Sequence, residues 1–202
     1  MNTTVVTVDK EHPDKKAMEE AGRILRSGGL VAFPTETVYG LGGDGLNPSS
    51  SQKIYQAKGR PSDNPLIIHI ADLESLEKIV KRIPEKARKM AEAFWPGPLT
   101  MIFEKSSAVP YETTGGLESV AVRMPSHPVA MALIKEGGGY VAAPSANTSG
   151  RPSPTQASHV REDLEGKIDM IIDGGSVGIG LESTIVDFTE AEPGILRPGY
   201  IN

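Results

Sequence analysis

The chain has 202 residues, of which 38% are hydrophobic, and a formal net charge of −5 at pH 7. This length fits one domain with a hydrophobic core, because domains most often hold roughly 100–200 residues. The acidic balance argues against a dedicated duplex-binding module, and the lack of Cys excludes disulfides, thiolate catalysis and Cys-ligated zinc. The N-terminus lacks a signal pattern and no apolar run approaches membrane length, so we expect a soluble, cytoplasmic protein.

Strand-like alternation and helical stripes follow one another along the chain. The first predicted helix repeats apolar residues at helical spacing from Ala17 to Leu25 and stops at Gly28. In chain order we predict strand 5–8, this helix, strand 30–33, helix 51–57, strand 66–70, helix 72–82, helix 87–94, strand 99–103, strand 119–123, helix 126–135, strand 140–143, helix 155–164, strand 170–173 and strand 183–187. Because strands and helices alternate without an internal repeat, the pattern predicts one α/β domain with a mixed sheet.

The segment 58–61, Lys-Gly-Arg-Pro, carries two cations that a turn can direct at one anion. Arg60 offers a planar fork of donors that matches phosphate or carboxylate, and Lys58 adds a compact charge. A second loop, 144–150, presents small hydroxyl and amide side chains, among them Ser145 and Asn147. The two loops together indicate a site for an oxyanion-rich ligand, although a solvated surface turn is the alternative for segment 58–61 alone.

Residues 40–45 match the pattern G-x-G-x-x-G of dinucleotide-binding turns. That pattern requires glycines at a strand-to-helix turn, but here several residues separate strand 30–33 from Gly40, and the next helix begins only after Pro48. We therefore predict a tight turn near the site, not a dinucleotide fingerprint.

Arg123 ends the apolar segment 119–123, which is an unusual place for a charge. A buried arginine requires a partner, so Arg123 pairs either with an acid of its own chain, such as Glu36 or Asp187, or with an anionic ligand. His69 lies in the strand that follows the Lys58–Arg60 pair, where it could hydrogen-bond a polar ligand.

Several common catalytic motifs are missing. The sequence has no P-loop, no H-E-x-x-H, no nucleophile elbow and no metal-ligand spacing among its four His. The site predicted at segments 58–61 and 144–150 is therefore rich in anion-binding groups and poor in acid–base groups. This balance favours phosphoryl or nucleotidyl transfer, in which catalysis is mostly positioning and neutralisation of charge.

The Lys-Gly-Arg-Pro segment at 58–61, together with Ser145-Ala-Asn147, resembles the K-x-R…S-x-N signature of the YrdC/Sua5 family, the threonylcarbamoyl-AMP synthases. Segments 34–41, 95–100, 183–187 and 196–199 also match, in the family's order. The resemblance implies an α/β fold with a twisted mixed sheet, flanked by helices, around a large concave and positively lined cavity. It further implies that L-threonine, bicarbonate and ATP are converted into threonylcarbamoyl-AMP and pyrophosphate, for the t6A modification at position 37 of tRNA.

The resemblance also implies roles for individual residues. Lys58 and Arg60 are the implied catalytic residues and bind the phosphates. Further ATP-binding residues are Asn64, Ser119, Ala143, Ser145, Asn147, Ser153 and Arg197. The L-threonine-binding residues are Thr35, Thr37, His69, Arg123 and Ser183. If Arg123 holds the carboxylate of threonine, we expect it to lack a permanent partner in its own chain. Mg²⁺ is expected with ATP, held mainly by the substrate phosphates without a protein metal site, and bicarbonate or CO₂ is a substrate.

Longer members of the family continue past R-P-G into a second domain, which we do not expect in residues 1–202. The expected partners are the substrates, a downstream complex that transfers threonylcarbamoyl to tRNA, and tRNA itself through a weak contact. Two alternatives remain. One is an RNA-binding or ribosome-maturation module that uses the same basic cavity. The other is a carbamoyl-adenylate-handling domain like that of hydrogenase maturation proteins, which would use carbamoyl phosphate.

Overall fold

A ten-stranded mixed sheet forms the centre of the computed structural model, which describes residues 2–201. Its strands, in chain order, are β1 (Thr4–Thr7), β2 (Val31–Pro34), β3 (Tyr39–Asp44), β4 (Ile67–His69), β5 (Leu99–Glu104), β6 (Ser119–Arg123), β7 (Val141–Ala142), β8 (Met170–Asp173), β9 (Thr184–Asp187) and β10 (Gly194–Arg197). Their order across the sheet is β1-β8-β2-β3-β7-β4-β6-β5-β9-β10. The pairs β1–β8, β2–β8, β4–β6 and β5–β9 are parallel, and the other neighbouring pairs are antiparallel.

Helices cover parts of both faces of this sheet. They are α1 (Lys15–Arg26), α2 (Pro48–Lys58), α3 (Glu74–Ile79), α4 (Glu85–Phe94), α5 (Tyr111–Thr114), α6 (Pro128–Glu136) and α7 (Ala157–Leu164). Asn47 caps the N-terminus of helix α2, where its side chain accepts a hydrogen bond from the Ser49 amide. Gly59 caps the C-terminus with φ of 61°. This left-handed glycine terminates the helix directly after Lys58, so the two cations of segment 58–61 lie on either side of the turn.

At the β1–β3 end, alternate residues of each strand face opposite layers of helices. Val31 and Phe33 pack with α1 and α6, whereas Ala32 packs with α2 and α7. In β8, Met170 and Ile172 likewise pack in the layer of α1 and α6, whereas Ile171 packs in the layer of α2 and α7. The period of two residues in a strand therefore builds two buried layers from these short apolar segments.

At the β5–β9 end, one face of the sheet packs against α3 and α4. Val120, Val122, Met101 and Phe103 belong to this third core cluster. The residues between them, including Ala121 and Ile102, point to the opposite face, where they line a cleft. The cleft thus lies on the face of these strands opposite α3 and α4.

The predicted α/β domain with a mixed sheet and flanking helices is confirmed. Strands 119–123 and 170–173 agree with the structure at both ends. The tight turn predicted for residues 40–45 is wrong, because this segment forms most of β3. Helix 72–82 is shorter than predicted, and neither α5 nor β10 was expected. The glycines of β3 reflect packing, since a Cβ on Gly42 would lie 2.9 Å from atoms of Phe33 and Val141.

Candidate functional site

The floor of the cleft is built by register between neighbouring strands. His69 of β4 lies opposite Arg123 of β6, and Arg123 lies opposite Thr100 of β5. Ser183 precedes β9, and its hydroxyl lies 2.7 Å from that of Thr100. A row of polar side chains therefore crosses strands that are otherwise apolar, and a row of this kind is suited to holding a ligand.

The cleft has a volume of about 350 Å³ and is open on one side. Most of the residues assigned to ligands by the family resemblance line it: Thr35, Thr37, Arg60, Asn64, His69, Arg123, Ala143, Ser145, Ser183 and Arg197. Within the described part of the chain, the lining does not include Lys58, Ser119, Asn147 or Ser153. The large cavity implied by the resemblance stays a prediction, as do the individual ligand assignments.

Arg123 has a partner in its own chain. One of its terminal nitrogens pairs with the carboxylate of Glu36, the other donates to the Thr37 hydroxyl at 2.9 Å, and its Nε donates to the Gly97 carbonyl at 3.3 Å. The expectation that Arg123 lacks a permanent partner is therefore wrong. The physical reason is burial: the side chain is 5% exposed, and a guanidinium removed from water requires a compensating charge. Burial also lowers the pKa of Arg123, and Glu36 opposes this effect.

Thr35 and Thr37 form the wall next to Arg123. Their hydroxyls lie 2.9 Å apart, and the Thr35 hydroxyl donates to the Val38 carbonyl at 2.7 Å. The Thr35 oxygen also accepts the Val38 amide at 3.3 Å. These contacts fix both hydroxyls in the turn between β2 and β3.

Arg60 organises the other cation-bearing wall. Its guanidinium donates to the Asn64 side chain at 2.8 Å and to the Asn64 and Pro65 carbonyls at 3.1 and 3.0 Å. Burial lowers the pKa of Arg60, and Tyr55 and Glu182 oppose this effect. Arg60 therefore stabilises the turn of residues 60–65 through these hydrogen bonds, and it also lines the cleft.

Lys58 is buried and binds the second loop. Its ammonium donates to the carbonyls of Ser145 and Asn147, and the Lys58 carbonyl accepts the Ser149 amide at 2.9 Å. Burial, reinforced by Arg60, lowers the pKa of Lys58 to about 8. In this structure the lysine therefore connects the K-x-R and S-x-N segments directly.

The S-x-N loop presents one polar atom without a partner. The Asn147 amide nitrogen donates to the carbonyls of Thr148 and Arg151 at 2.9 and 2.8 Å. These two contacts orient the side chain, and its oxygen has no hydrogen-bond partner among residues 2–201. A buried acceptor of this kind is costly, which indicates that a donor from a ligand could satisfy it.

His69 is fully buried at the back of the floor and packs edge-on against Phe33 with ring centroids 6.4 Å apart. Burial, together with the charge of Arg123, lowers the pKa of His69 to about 3. The imidazole is therefore neutral at physiological pH and can bind a polar group without adding charge.

Glu182 contacts two residues that were assigned to the nucleotide, Ser153 and Arg197. Its carboxylate pairs with Arg197 and accepts a hydrogen bond from the Ser153 hydroxyl at 2.8 Å. Arg197 also donates to the Ser183 carbonyl at 2.9 Å. Ser119 lies elsewhere, at the start of β6 opposite Glu104. The sequence interpretation gave no role to Glu182, which adjoins segment 183–187, or to Thr100, which ends segment 95–100.

Among the described residues, the cleft wall contains three arginines and one carboxylate, that of Glu182. No three His, Asp or Glu side chains within residues 2–201 are positioned to hold a metal ion. In the same part of the chain, no helix is long and apolar enough to cross a membrane.

Comparison with known proteins identifies relatives over nearly the whole chain. The family model described as Telomere recombination, that of the Sua5, YciO and YrdC proteins, matches residues 23–199. A relative from Pyrococcus abyssi, named threonylcarbamoyl-AMP synthase, is 54% identical over 97% of this chain and 58% of its own length. A relative of the same name from Bacillus subtilis is 52% identical over 98% of this chain and 57% of its own length.

The structural comparison agrees with these sequence matches. A crystal structure described as P. abyssi Sua5 complexed with L-threonine superposes with a TM-score of 0.95 at 54% identity, covering 98% of this chain and 58% of that one. The chain therefore spans less than two thirds of the length of these relatives.

Proposed function

The chain belongs to the Sua5, YciO and YrdC family, and we propose that it is a threonylcarbamoyl-AMP synthase. The reaction would join L-threonine, bicarbonate and ATP to give threonylcarbamoyl-AMP, pyrophosphate and water, which makes the protein a nucleotidyltransferase. The names of its relatives and the described threonine complex of one of them support this proposal.

The observation that carries the proposal is the composition of the cleft. Arg60, Arg123 and Arg197 face a space of about 350 Å³ together with the hydroxyls of Thr35 and Ser183. Arginine forks bind carboxylates and phosphates, and fixed hydroxyls can orient the polar groups of a small ligand. A cleft with these groups suits an amino acid next to a nucleotide.

The amino acid would occupy the floor at Arg123. The guanidinium has more N–H donors than its three protein contacts use, so donors remain for a carboxylate. Thr37 and the neutral His69 lie beside it and could bind the amine or the hydroxyl of threonine. Ser183 would complete this end of the site.

The nucleotide would occupy the end lined by Arg60, Asn64, Ser145 and Arg197. Arg60 would neutralise phosphate charge, and Asn147, which lies outside the cleft lining, would orient the loop that carries Ser145 through its bonds to the Thr148 and Arg151 carbonyls. Lys58 would position the Ser145–Asn147 loop through its hydrogen bonds to the Ser145 and Asn147 carbonyls. If these hydrogen bonds break, its ammonium would contact the phosphates instead.

The chemical step needs little from protein acids or bases. Bicarbonate takes up a proton and loses water to give CO₂, to which the amine of threonine adds; the amine then loses a proton, giving a carbamate. A carbamate oxygen then attacks the α-phosphorus, and the bond to pyrophosphate breaks. The arginines would stabilise the charge that develops on the phosphoryl oxygens, which is the main contribution a protein makes to this class of reaction.

Mg²⁺ fits this cleft only as a companion of ATP. Mg²⁺ commonly keeps several waters and binds through substrate phosphates with one or two carboxylates. Glu182 is the one carboxylate in the described lining, and it is 37% exposed, so it is the protein group that could reach such an ion. When bound, Mg²⁺ would neutralise part of the charge on the departing pyrophosphate.

The same proposal extends to the fate of the product. Threonylcarbamoyl-AMP would pass to a complex that transfers the threonylcarbamoyl group to tRNA for t6A formation, with a weak tRNA contact by the chain itself. The tRNA role implies a cytoplasmic location.

Pyrophosphate release tests the proposed activity. The chain should release pyrophosphate from ATP only when L-threonine and bicarbonate are both supplied. Equal release without threonine would contradict the synthase proposal. The assay also separates the alternatives, because a carbamoyl-adenylate domain would respond to carbamoyl phosphate and an RNA-binding module would not consume ATP.

A further inference from the structure

Glu36 lies between Thr35 and Thr37 in the sequence, but unlike them it does not line the cleft. Its side chain is 15% exposed, and one carboxylate oxygen pairs with Arg123. The other oxygen accepts the backbone amide of Ser126 at 3.2 Å. Each oxygen is therefore bound, and the carboxylate is anchored between β6 and the segment that leads into α6.

Glu36 approaches Arg123 from outside the cleft. Within the described part of the chain, the cleft wall contains Arg123 but not Glu36. The carboxylate thus leaves the ligand space free while it binds one edge of the guanidinium. Thr37 and the Gly97 carbonyl hold two other nitrogens of the same group.

We infer that Glu36 is a positioning residue, which sets the orientation of the Arg123 fork toward the carboxylate of the amino-acid substrate. This inference rests on the proposed function, because it assigns the remaining Arg123 donors to that substrate. With three sides of the guanidinium fixed by the protein, its unused N–H groups face the cleft before the ligand arrives. Preorganisation of this kind lowers the entropy lost on binding.

A competing role for Glu36 predicts the opposite result. If the Glu36 carboxylate substituted for the substrate carboxylate, its neutralisation would strengthen substrate binding. The position of Glu36 outside the cleft wall and its bond to the Ser126 amide favour positioning over competition.

The test compares L-threonine with L-threoninol, in which a hydroxymethyl group replaces the carboxylate. Calorimetric dissociation constants for both ligands give the preference for the carboxylate. Glu36→Asp keeps the charge but withdraws it by one methylene group, so it isolates geometry from charge. Glu36→Gln keeps the length and an acceptor oxygen, which makes it the variant with the smaller structural change.

We expect Glu36→Asp to reduce the preference for threonine over threoninol about tenfold or more, since displacement of a binding group by about 1 Å can cost up to ~100-fold. Glu36→Gln should show a smaller loss, and neither variant should change the KM for ATP. Asp163→Glu is the matched control, because Asp163 is a buried carboxylate that pairs with Arg151 outside the cleft. It should lower the melting temperature without altering the preference.

Each other outcome is decisive. An unchanged preference in Glu36→Asp would overturn the positioning role, and so would tighter threonine binding in Glu36→Gln. If Glu36→Asp does not fold, the Gln variant decides by the same criterion. If the unaltered chain itself shows no preference for threonine over threoninol, the proposed carboxylate subsite fails, and the role of Glu36 fails with it.

Discussion

At the scale of single residues, Arg123 pairs with an acid of its own chain, Glu36, and keeps N–H donors that its protein contacts do not use. An arginine at the end of an apolar strand predicts burial and a need for negative charge, and both follow from the residue type and its neighbours. Glu36 and Asp187 were both candidate partners, and the sequence could not decide between them, because Glu36 lies 87 positions away in the chain and the contact depends on the assembled sheet. The internal pair satisfies the buried charge, and the donors that remain can serve a ligand.

Arg123→Lys should therefore affect both binding and stability. Lysine keeps the charge but lacks the planar fork, so the dissociation constant for threonine should rise about tenfold or more, as one charge-assisted hydrogen bond is worth about 1.5–3 kcal/mol. The melting temperature should fall, because the contacts to Glu36 and Gly97 are weakened. Calorimetric titration with threonine and a melting curve measure the two effects.

The control for this variant is Arg151→Lys, which alters an arginine paired with a buried carboxylate outside the cleft. It should lower stability and leave threonine binding unchanged. A fall in stability for Arg123→Lys with an unaltered dissociation constant for threonine would show that Arg123 serves the fold alone.

Lys58 predicts a specific dependence of stability on pH. Burial lowers its pKa from 10.5 to about 8 in the folded chain. The unfolded chain therefore holds this proton to higher pH, and the contribution of Lys58 to the free energy of unfolding rises between pH 8 and 10.5. Below this window the folded state bears the full cost of burying the ammonium.

Lys58→Met removes this titration and keeps most of the side-chain volume. The unaltered chain should gain stability relative to the variant as pH rises through the window, as measured by urea unfolding at its two ends. A constant difference between the two proteins would mean that the folded lysine titrates like a solvated one.

At the scale of elements, strand 119–123 was predicted with its bounds, whereas the role of glycine in residues 40–45 was misread. Strand 119–123 alternates between core and cleft as its sequence indicates. Residues 40–45 were interpreted as a turn because glycine is depleted in strands. In the structure, neighbouring side chains fill the space above β3, so packing overrides the local preference.

Gly42→Ala tests this interpretation of β3. A Cβ there would lie 2.9 Å from both Phe33 and Val141, closer than normal contact. We expect the free energy of unfolding to fall by about 1–3 kcal/mol, the usual cost of overpacking a core. Urea unfolding measures the change.

Gly194→Ala provides the comparison within a strand, since no atom lies within 4 Å of a Cβ at that position. Its effect should stay within about 0.5 kcal/mol, as for most surface substitutions. Equal losses in the two variants would show that strand glycine, and not the space around Gly42, determines the cost.

At the scale of the whole molecule, the alternation of strands and helices predicted the class of fold, but not how three distant segments form one cleft. Segments 34–40, 58–65 and 182–197 meet only through the order of strands in the sheet. The internal pairs Arg123–Glu36 and Arg197–Glu182 also depend on that assembly. The family motifs marked these segments correctly as neighbours of the cleft, while the partners of each side chain required the structure.

The origin of the carbonyl carbon in the product tests the central claim most directly. We would incubate the chain with ATP, L-threonine and isotope-labelled bicarbonate, and determine the mass of the adenylate product. The account predicts an adenylate that contains threonine and one labelled carbon from bicarbonate, formed together with pyrophosphate. An adenylate of threonine without the label, or no adenylate at all, would contradict it.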